Sequence, residues 1–161
     1  MKVFHSVHHP GDVPTPLVYG RALLAPLVFC LLPVMIAATA SALQQQPIVP
    51  FLTWGTPIAF GAAVTWTRYQ LSATPAEIRV RDHEAAVRSV HDCLTADRSL
   101  HWEWIHEIRV NSDALIVTMG FETYRFTHAT WPDTSSLRDA LRTAQSAGPT
   151  SASQHPASHH A

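Results

Sequence analysis

The residues with the greatest chemical capacity in this sequence are its histidines, of which there are eleven. One group, His101, Glu103 and His106, lies in a segment of alternating polar and apolar residues, so that on a strand His101 and Glu103 share one face. A histidine beside a carboxylate can transfer protons or bind a metal ion. The same alternation is typical of a solvent-exposed strand face, which is the simpler interpretation.

Two further groups of histidines lie near the ends of the sequence. The first is His5, His8 and His9, and the second is His155, His159 and His160. If both groups are on one side of a membrane, their imidazoles could together hold zinc. Neither group is accompanied by a cysteine, and we therefore predict no metal site and no cofactor. The segment 147–161, rich in Ser, Ala, Pro and His, is predicted to be disordered.

Arg79 and Arg81 are a different kind of candidate, because they alternate with Ile78 and Val80. On a strand, the two apolar residues would face a core and the two arginines would face solvent. Close to a membrane, each arginine could contact lipid headgroups with a gain of about 1 kcal/mol. Acidic residues are interleaved with them, so a surface of mixed charge is the alternative interpretation.

Motifs of known enzyme classes are missing from the sequence. It contains no G-x-S-x-G, H-E-x-x-H, P-loop or paired C-x-x-C pattern, and we predict no catalytic residue. Cys30 and Cys93 lie far apart in different regions, which argues against a disulfide. From Arg68 to Ser146, nine arginines stand against eleven carboxylates, so the basic surface of a nucleic-acid-binding protein is also missing.

The most informative region for localisation is the uncharged stretch between Arg21 and Arg68. It contains two apolar runs, 22–43 and 48–67, separated by the sequence QQQP. A helix crosses a bilayer with roughly 20 apolar residues, and each run has that length. We therefore predict a transmembrane helical hairpin over 21–68. Small residues in the second run would let its two helices approach closely; they are Gly55, Ala59, Gly61, Ala62 and Ala63.

The charges that flank the hairpin predict its orientation. Arg21 precedes the first run, Arg68 follows the second, and the connection has no positive charge. The positive-inside rule then places both termini in the cytoplasm, with a multi-pass anchor in the inner membrane. The alternative is a secretory signal, because Ala40-Ser41-Ala42 is a suitable cleavage site after an apolar core. Cleavage there would leave one helix and a domain outside the cell.

Short alternating runs follow Tyr69 and predict a small antiparallel sheet. Extended segments are expected at 69–72, 77–81, 99–104, 108–110, 114–119 and 123–127. A closing helix is expected from about residue 132, with one apolar face formed by Leu137, Ala140, Leu141 and Ala144. The segment 82–97 fits either a helix capped by Asp82 or a strand, and its alanines favour the helix.

The order of these elements resembles a known family. A membrane hairpin leads into Y-x-L-S and E-I-x-V, followed by L-x-W-x-W-I-x-x-I over 100–108, an apolar strand, a Y-x-F strand and a helix. This order resembles small bacterial membrane proteins with a pleckstrin-homology-like (PH-like) domain, and most of all the YcxB-like group. The resemblance covers residues 20–145, with Trp104 and Ile108 in its most specific part, and 82–98 departs from it. It implies a curled antiparallel sheet capped by a helix, and no catalytic residues.

The expected organisation is therefore an α+β membrane protein with four segments. They are a polar N-terminal segment at 1–20, the hairpin at 21–68, a PH-like domain at 69–146 and the tail at 147–161. The expected function is non-catalytic binding or scaffolding at the cytoplasmic face, with the lipid bilayer and an unidentified protein as partners. Three alternatives stay open: a subunit of a larger membrane complex, a homo-oligomer joined through the hairpin, and a histidine-dependent metal-binding protein or enzyme.

Overall fold

The computed structural model describes residues 1–95 and 100–147, which belong to two compact units. One unit consists of Met1–Val7, Ile78–Val87 and the described residues from 100 onward, and it contains most of a sheet and its closing helix. The other consists of His8–Glu77 and the described residues from Arg88 to Thr95, and it is mainly helical. The predicted α+β class is confirmed, with an apolar helix near the N-terminus.

The sheet has six antiparallel strands that follow one another in chain order. They are β1 (Lys2–His5), β2 (Pro75–Arg81), β3 (Glu84–Ser89), β4 (Glu103–Val110), β5 (Ala114–Met119) and β6 (Glu122–Thr127). Asp82 and Gly120, which lie in the turns after β2 and β5, both have a positive φ angle. At Gly120 the missing side chain makes this conformation easy. An Asp tolerates it better than most residues do.

The sheet curls so that its two ends approach each other. The amide of Val7, just after β1, donates a hydrogen bond of 2.9 Å to the carbonyl of Thr130, just after β6. Helix α4 (Thr134–Ala147) covers the resulting core. Its apolar face was predicted correctly. The fully buried side chains of this core include Ile78, Leu115, Val117, Met119, Phe126, Leu137 and Leu141.

For the segment 82–97, where the sequence favoured a helix but left a strand open, the described residues contain both. Residues Glu84–Ser89 form β3, and only Val90–Leu94 form a helix, α3. Its N-cap is Ser89 instead of Asp82, since the Ser89 hydroxyl accepts a hydrogen bond from the Asp92 amide and the Asp92 carboxylate accepts one from the Ser89 amide. This reciprocal capping box begins the helix where the strand ends.

The strand predictions at 99–104, of which residue 99 lies outside the described residues, and at 108–110 also need correction. One strand, β4, runs from Glu103 to Val110. Its pairing with β5 shifts between Ile105 and Glu107. An irregularity of this kind interrupts the alternation of inward and outward side chains. The sequence therefore suggested two short strands where the structure has one.

Two differences concern the helices. Helix α1 spans Thr15–Leu43 and begins before the predicted start at Ala22. Pro16 lies in its first turn, where the missing amide hydrogen removes no helical hydrogen bond. Helix α2 spans Thr56–Ala73, so residues 69–72 are helical and were wrongly predicted as extended. The N-terminal segment, in turn, contains β1, which the sequence analysis did not predict.

Helix α1 is long and apolar enough to cross a membrane, with a mean hydropathy of 2.4 over its most apolar window. A second membrane-spanning helix, predicted at 48–67, is not shown. The helical run over 49–73 is divided, since Phe51–Gly55 form a π-helical segment ahead of α2. Pro57 is a physical reason for this change, because a proline cannot donate the hydrogen bond that would reach the carbonyl of Thr53.

The two helical runs pack through a stripe of small residues with a spacing of four. Ala59, Ala63 and Thr67 are buried on this stripe. A Cβ atom placed on Gly55 would lie 2.8 Å from Cγ1 of Val34 in α1, so this approach requires glycine. Gly61 has open space around it, which shows that only part of the predicted small-residue set lies at the interface.

This interface makes a direct prediction about Ala63. We expect Ala63→Leu to destabilise the protein by about 1–3 kcal/mol, because the added atoms overpack a fully buried position. The matched control is Ala62→Leu, which adds the same atoms at an exposed neighbouring position. Thermal unfolding of both variants in the same detergent measures the difference, and equal melting temperatures would contradict the packing described here.

Candidate functional site

A cleft of about 680 Å³ lies in the mainly helical unit, where the N-terminal segment meets the start of α1 and the end of α2. We call it the helix-end cleft. Its lining consists of His8, His9, Pro10, Val13, Val18, Arg21, Ala22, Tyr69, Gln70, Leu71, Ala73, Thr74 and Val90. The volume is within the range of about 300–1,000 Å³ that is typical of ligand sites.

A small apolar cluster supports the floor of the cleft. Leu71 and Val90 line the cleft and are also buried in this cluster with Ala76. Val18 and Ala22 of α1 pack against the same cluster. The floor is therefore built from α1, α2 and α3 together, which makes it a preformed surface.

The polar part of the lining carries positive charge and no negative charge. Arg21 is exposed, and the residues that the structure describes form no ion pair with it. His8 and His9 line the same cleft, and Asp and Glu are missing from its lining. A cleft with this composition attracts an anion in preference to a cation.

His9 is held in place by contacts through both ring nitrogens. Its Nδ1 accepts a hydrogen bond of 3.1 Å from the amide of Gly11. Its Nε2 lies 3.7 Å from Oε2 of Glu77. Because Nδ1 is an acceptor, the ring proton is on Nε2 and faces the carboxylate. His9 therefore forms a fixed wall of the cleft.

Glu77 is the most deeply buried carboxylate of this region, with an exposure of 4%. In addition to His9, Nη1 of Arg88 lies 3.9 Å from its Oε2. Arg88 is itself anchored, since its Nη2 donates a hydrogen bond of 2.6 Å to the carbonyl of Asp92 in α3. A buried carboxylate needs such compensation, because removal from water strongly disfavours the charged form.

A second polar contact joins α1 to α3. The hydroxyl of Tyr19 and Nδ1 of His91 are 2.5 Å apart, and the two rings meet edge to face. Since both residues are close to the cluster under the cleft, this contact ties the start of α1 to the short helix. It contributes to the position of the cleft wall.

The arginines predicted as headgroup contacts are not part of this cleft. Arg81 is exposed, donates a hydrogen bond of 2.9 Å to Glu84 and lies 4.6 Å above the ring of Trp102. Arg79 is half-buried on β2. Arg81 therefore contacts other side chains of the sheet domain, and Arg79 lies on strand β2 of the same domain.

The group predicted as an alternative acid–base or metal site is divided. His101 is exposed and precedes β4, whereas Glu103 and His106 lie in β4. A Cβ atom at Gly120 would lie 2.8 Å from the Glu103 carboxyl carbon, so Glu103 packs against the turn after β5. Ile105 is buried and Trp104 is exposed, which places the core on the Glu103 side of the strand. The structure does not group the ligand atoms of these three residues.

The pKa shifts that occur in the sheet domain favour the ordinary protonation states. The pKa of Arg109 is raised by its hydrogen bond to Glu107. The pKa of Tyr124 is raised by burial and by its hydrogen bond to Glu122. Both shifts keep these groups protonated at neutral pH, as they would be in water. Neither group is therefore prepared for acid–base chemistry.

Sequence reasoning did not place Glu77 or Arg21 in a site. Arg21 was used only to orient the hairpin, and Glu77 was treated as part of a mixed-charge surface. No local signal identified Glu77, because its alternation with the buried Ile78 predicts a side chain that faces solvent. The second group of histidines considered as zinc ligands, His155, His159 and His160, lies outside the described residues.

Comparison of the chain with protein-family models, curated proteins and solved structures found no match. The resemblance to the YcxB-like group therefore stays a prediction based on the order of motifs.

Proposed function

We propose that this protein is a non-catalytic binding protein of the inner membrane, in which a two-helix hairpin anchors a PH-like domain at the cytoplasmic face. The observation that carries the proposal is the pairing of β1 with β2. Strand β1 precedes α1, whereas β2 follows α2. A chain that crossed the membrane only once between them would place the two strands on opposite sides, so their pairing supports an even number of crossings.

The exterior of both helical runs supports insertion into a bilayer. Large apolar side chains are exposed along α1 and along 49–73. Examples are Leu24, Val28, Phe29, Leu32, Met35, Ile36, Trp54, Ile58, Phe60 and Val64. A soluble protein rarely exposes apolar patches of this extent, whereas lipid chains accept them.

The length of the second run is sufficient for a crossing. The uncharged part of this run, 49–67, extends about 28 Å as a helix at 1.5 Å per residue, which is close to the roughly 30 Å hydrocarbon core. Trp54 and Trp66 lie towards its two ends, and aromatic residues of this kind prefer the membrane interfaces. A π-helical turn is compatible with a membrane helix, because its carbonyls can find alternative partners.

The buried stripe also argues against cleavage after Ala42. Removal of α1 would expose Ala59, Ala63 and Thr67, which are buried in the intact chain. It would also remove β1 from the sheet. The intact hairpin is therefore the form that this structure supports best.

Aromatic residues at one end of the sheet support a binding role for the domain. His83 stacks against Trp104 with ring centroids 4.9 Å apart, and Phe121 is fully exposed in the turn after β5. Arg81 and Trp102 form the cation–π pair at the same end of β2 and β4. Exposed aromatic and arginine side chains are enriched in the centres of protein interfaces.

Reporter fusions test the proposed topology. A reporter active only in the cytoplasm, fused after Ala147, should give a signal with a full-length chain on a blot. The same reporter inserted after Gln45 should be silent, and a periplasmic reporter at that position should be active. A shortened chain with a periplasmic signal at Ala147 would overturn the proposal, because it would mean cleavage and a domain in the periplasm.

A further inference from the structure

We infer that the helix-end cleft binds an anionic phospholipid, with Arg21 at the phosphate and the acyl chains along the apolar exterior of the helices. This inference rests on the proposed insertion of the hairpin. It concerns a different site from Arg79 and Arg81, which lie on β2 outside the cleft.

The position of the cleft along the chain is the first argument. Arg21 is the last charged residue before the uncharged stretch, and Tyr69 follows Arg68 at its other end. Both residues line the cleft. In an inserted hairpin, these positions lie at the level of the lipid headgroups, where arginine and tyrosine are preferred.

Charge is the second argument. Arg21 contributes a full positive charge to a lining that contains no Asp or Glu. The nearest buried carboxylate, Glu77, is compensated by His9 and Arg88. It therefore does not neutralise Arg21. A guanidinium binds a phosphate with two parallel hydrogen bonds, which makes this the preferred partner.

The apolar lining favours a lipid over free phosphate. A large part of the lining is apolar, formed by Val13, Val18, Leu71 and Val90. These side chains cannot form hydrogen bonds or ion pairs with a small hydrated anion. They do suit the glycerol and the first methylenes of an acyl chain, which gain from leaving water. The apolar exterior of α1 continues from this wall, with Leu24 and Val28 exposed on it.

The experiment uses the full-length protein, purified in detergent and studied by native mass spectrometry. Phosphatidylglycerol and phosphatidylcholine with identical acyl chains are added in separate titrations. We expect phosphatidylglycerol to bind at least about tenfold more tightly than phosphatidylcholine. We expect Arg21→Gln to weaken phosphatidylglycerol binding about fivefold or more, the effect of removing one cation worth about 1 kcal/mol.

Arg68→Gln is the matched control. Arg68 also borders the uncharged stretch, but it does not line the cleft. We expect it to change phosphatidylglycerol binding less than about twofold. Equal losses of phosphatidylglycerol binding in the two variants would overturn the inference, because they would show that any nearby arginine attracts the lipid equally well. Equal binding of the two lipids would overturn it as well.

Two further measurements complete the test. Val13→Glu places a carboxylate in the cleft without altering Arg21, and it should reduce phosphatidylglycerol binding even if Arg21→Gln fails to fold. Millimolar inorganic phosphate should not displace the lipid, and displacement would show a site for free phosphate instead. Carbonate extraction of membranes separates the two proposals. A protein that stays in the membrane after carbonate treatment but binds both lipids equally refutes this inference alone. A protein that carbonate removes from the membrane refutes both this inference and the proposed insertion.

Discussion

Replacement of Phe126 by alanine is expected to lower the free energy of unfolding by about 4 kcal/mol. Phe126 is fully buried in the core of the sheet domain. Its ring meets that of Trp131 edge to face at 5.0 Å and stacks beside Tyr124 at 6.2 Å. Truncation therefore removes a large buried surface and two aromatic contacts, and it leaves a cavity that rigid neighbours cannot fill.

The matched control is Phe121→Ala in the turn that leads into the same strand. Phe121 is fully exposed, so its truncation should change the stability by less than about 0.5 kcal/mol. Denaturant unfolding of both variants in detergent, followed by near-ultraviolet circular dichroism, measures the difference. If Phe126→Ala unfolds at the same denaturant concentration as the unaltered protein, the assigned core is wrong.

The second large effect is expected for Arg88→Met, which should destabilise the protein by about 3 kcal/mol. This change keeps most of the apolar stem of the side chain but removes the guanidinium beside the buried carboxylate of Glu77. It also removes the hydrogen bond to the carbonyl of Asp92. A buried carboxylate that loses part of its compensation becomes unfavourable in the folded state.

Arg125→Met is the control for this second effect. Arg125 and Asp113 also form an ion pair, at 2.6 Å, but both side chains are 62% exposed. An exposed pair contributes less than about 1 kcal/mol, because water screens it and solvates the separate charges. Thermal unfolding of the two variants compares a buried and an exposed arginine directly. Similar losses would mean that Glu77 does not depend on Arg88.

The parts of the fold that could be predicted from sequence are those with a long, regular pattern. The apolar run after Arg21 and the apolar face of α4 are examples, since Leu137, Leu141 and Ala144 recur at helical spacing and are buried. Each of these patterns depends on local sequence and needs no knowledge of distant contacts. Whether the second apolar run forms one continuous helix was harder to predict, because prolines alter the hydrogen bonding within it.

The errors lie where a local signal competed with a tertiary contact. Alanines at 85 and 86 favoured a helix, but both are buried in β3, where their small size suits a crowded strand. In β4, the register shift after Ile105 broke the alternation that would have revealed one long strand. Intrinsic propensities are weak compared with such packing.

Most of the candidate site could not be predicted from the sequence, because its residues are distant from one another in the chain. Arg21, Glu77 and Arg88 come from the start of α1, from β2 and from the end of β3. None of them forms a motif with its immediate neighbours. Only the fold shows that Glu77 is buried, and burial is what distinguishes it from the surface carboxylates nearby.

The neighbouring positions of β1 and β2 have a consequence for biogenesis. Strand β1 leaves the ribosome before β2, yet it can join the sheet only after the helical segment between them has been synthesised. Under the proposed topology, that segment must also have returned to the starting side of the membrane. A chain that is threaded incorrectly keeps the edge of β2 open, and an open edge invites aggregation or proteolysis. Completion of the sheet would then act as a checkpoint that separates correctly inserted chains from those to be degraded.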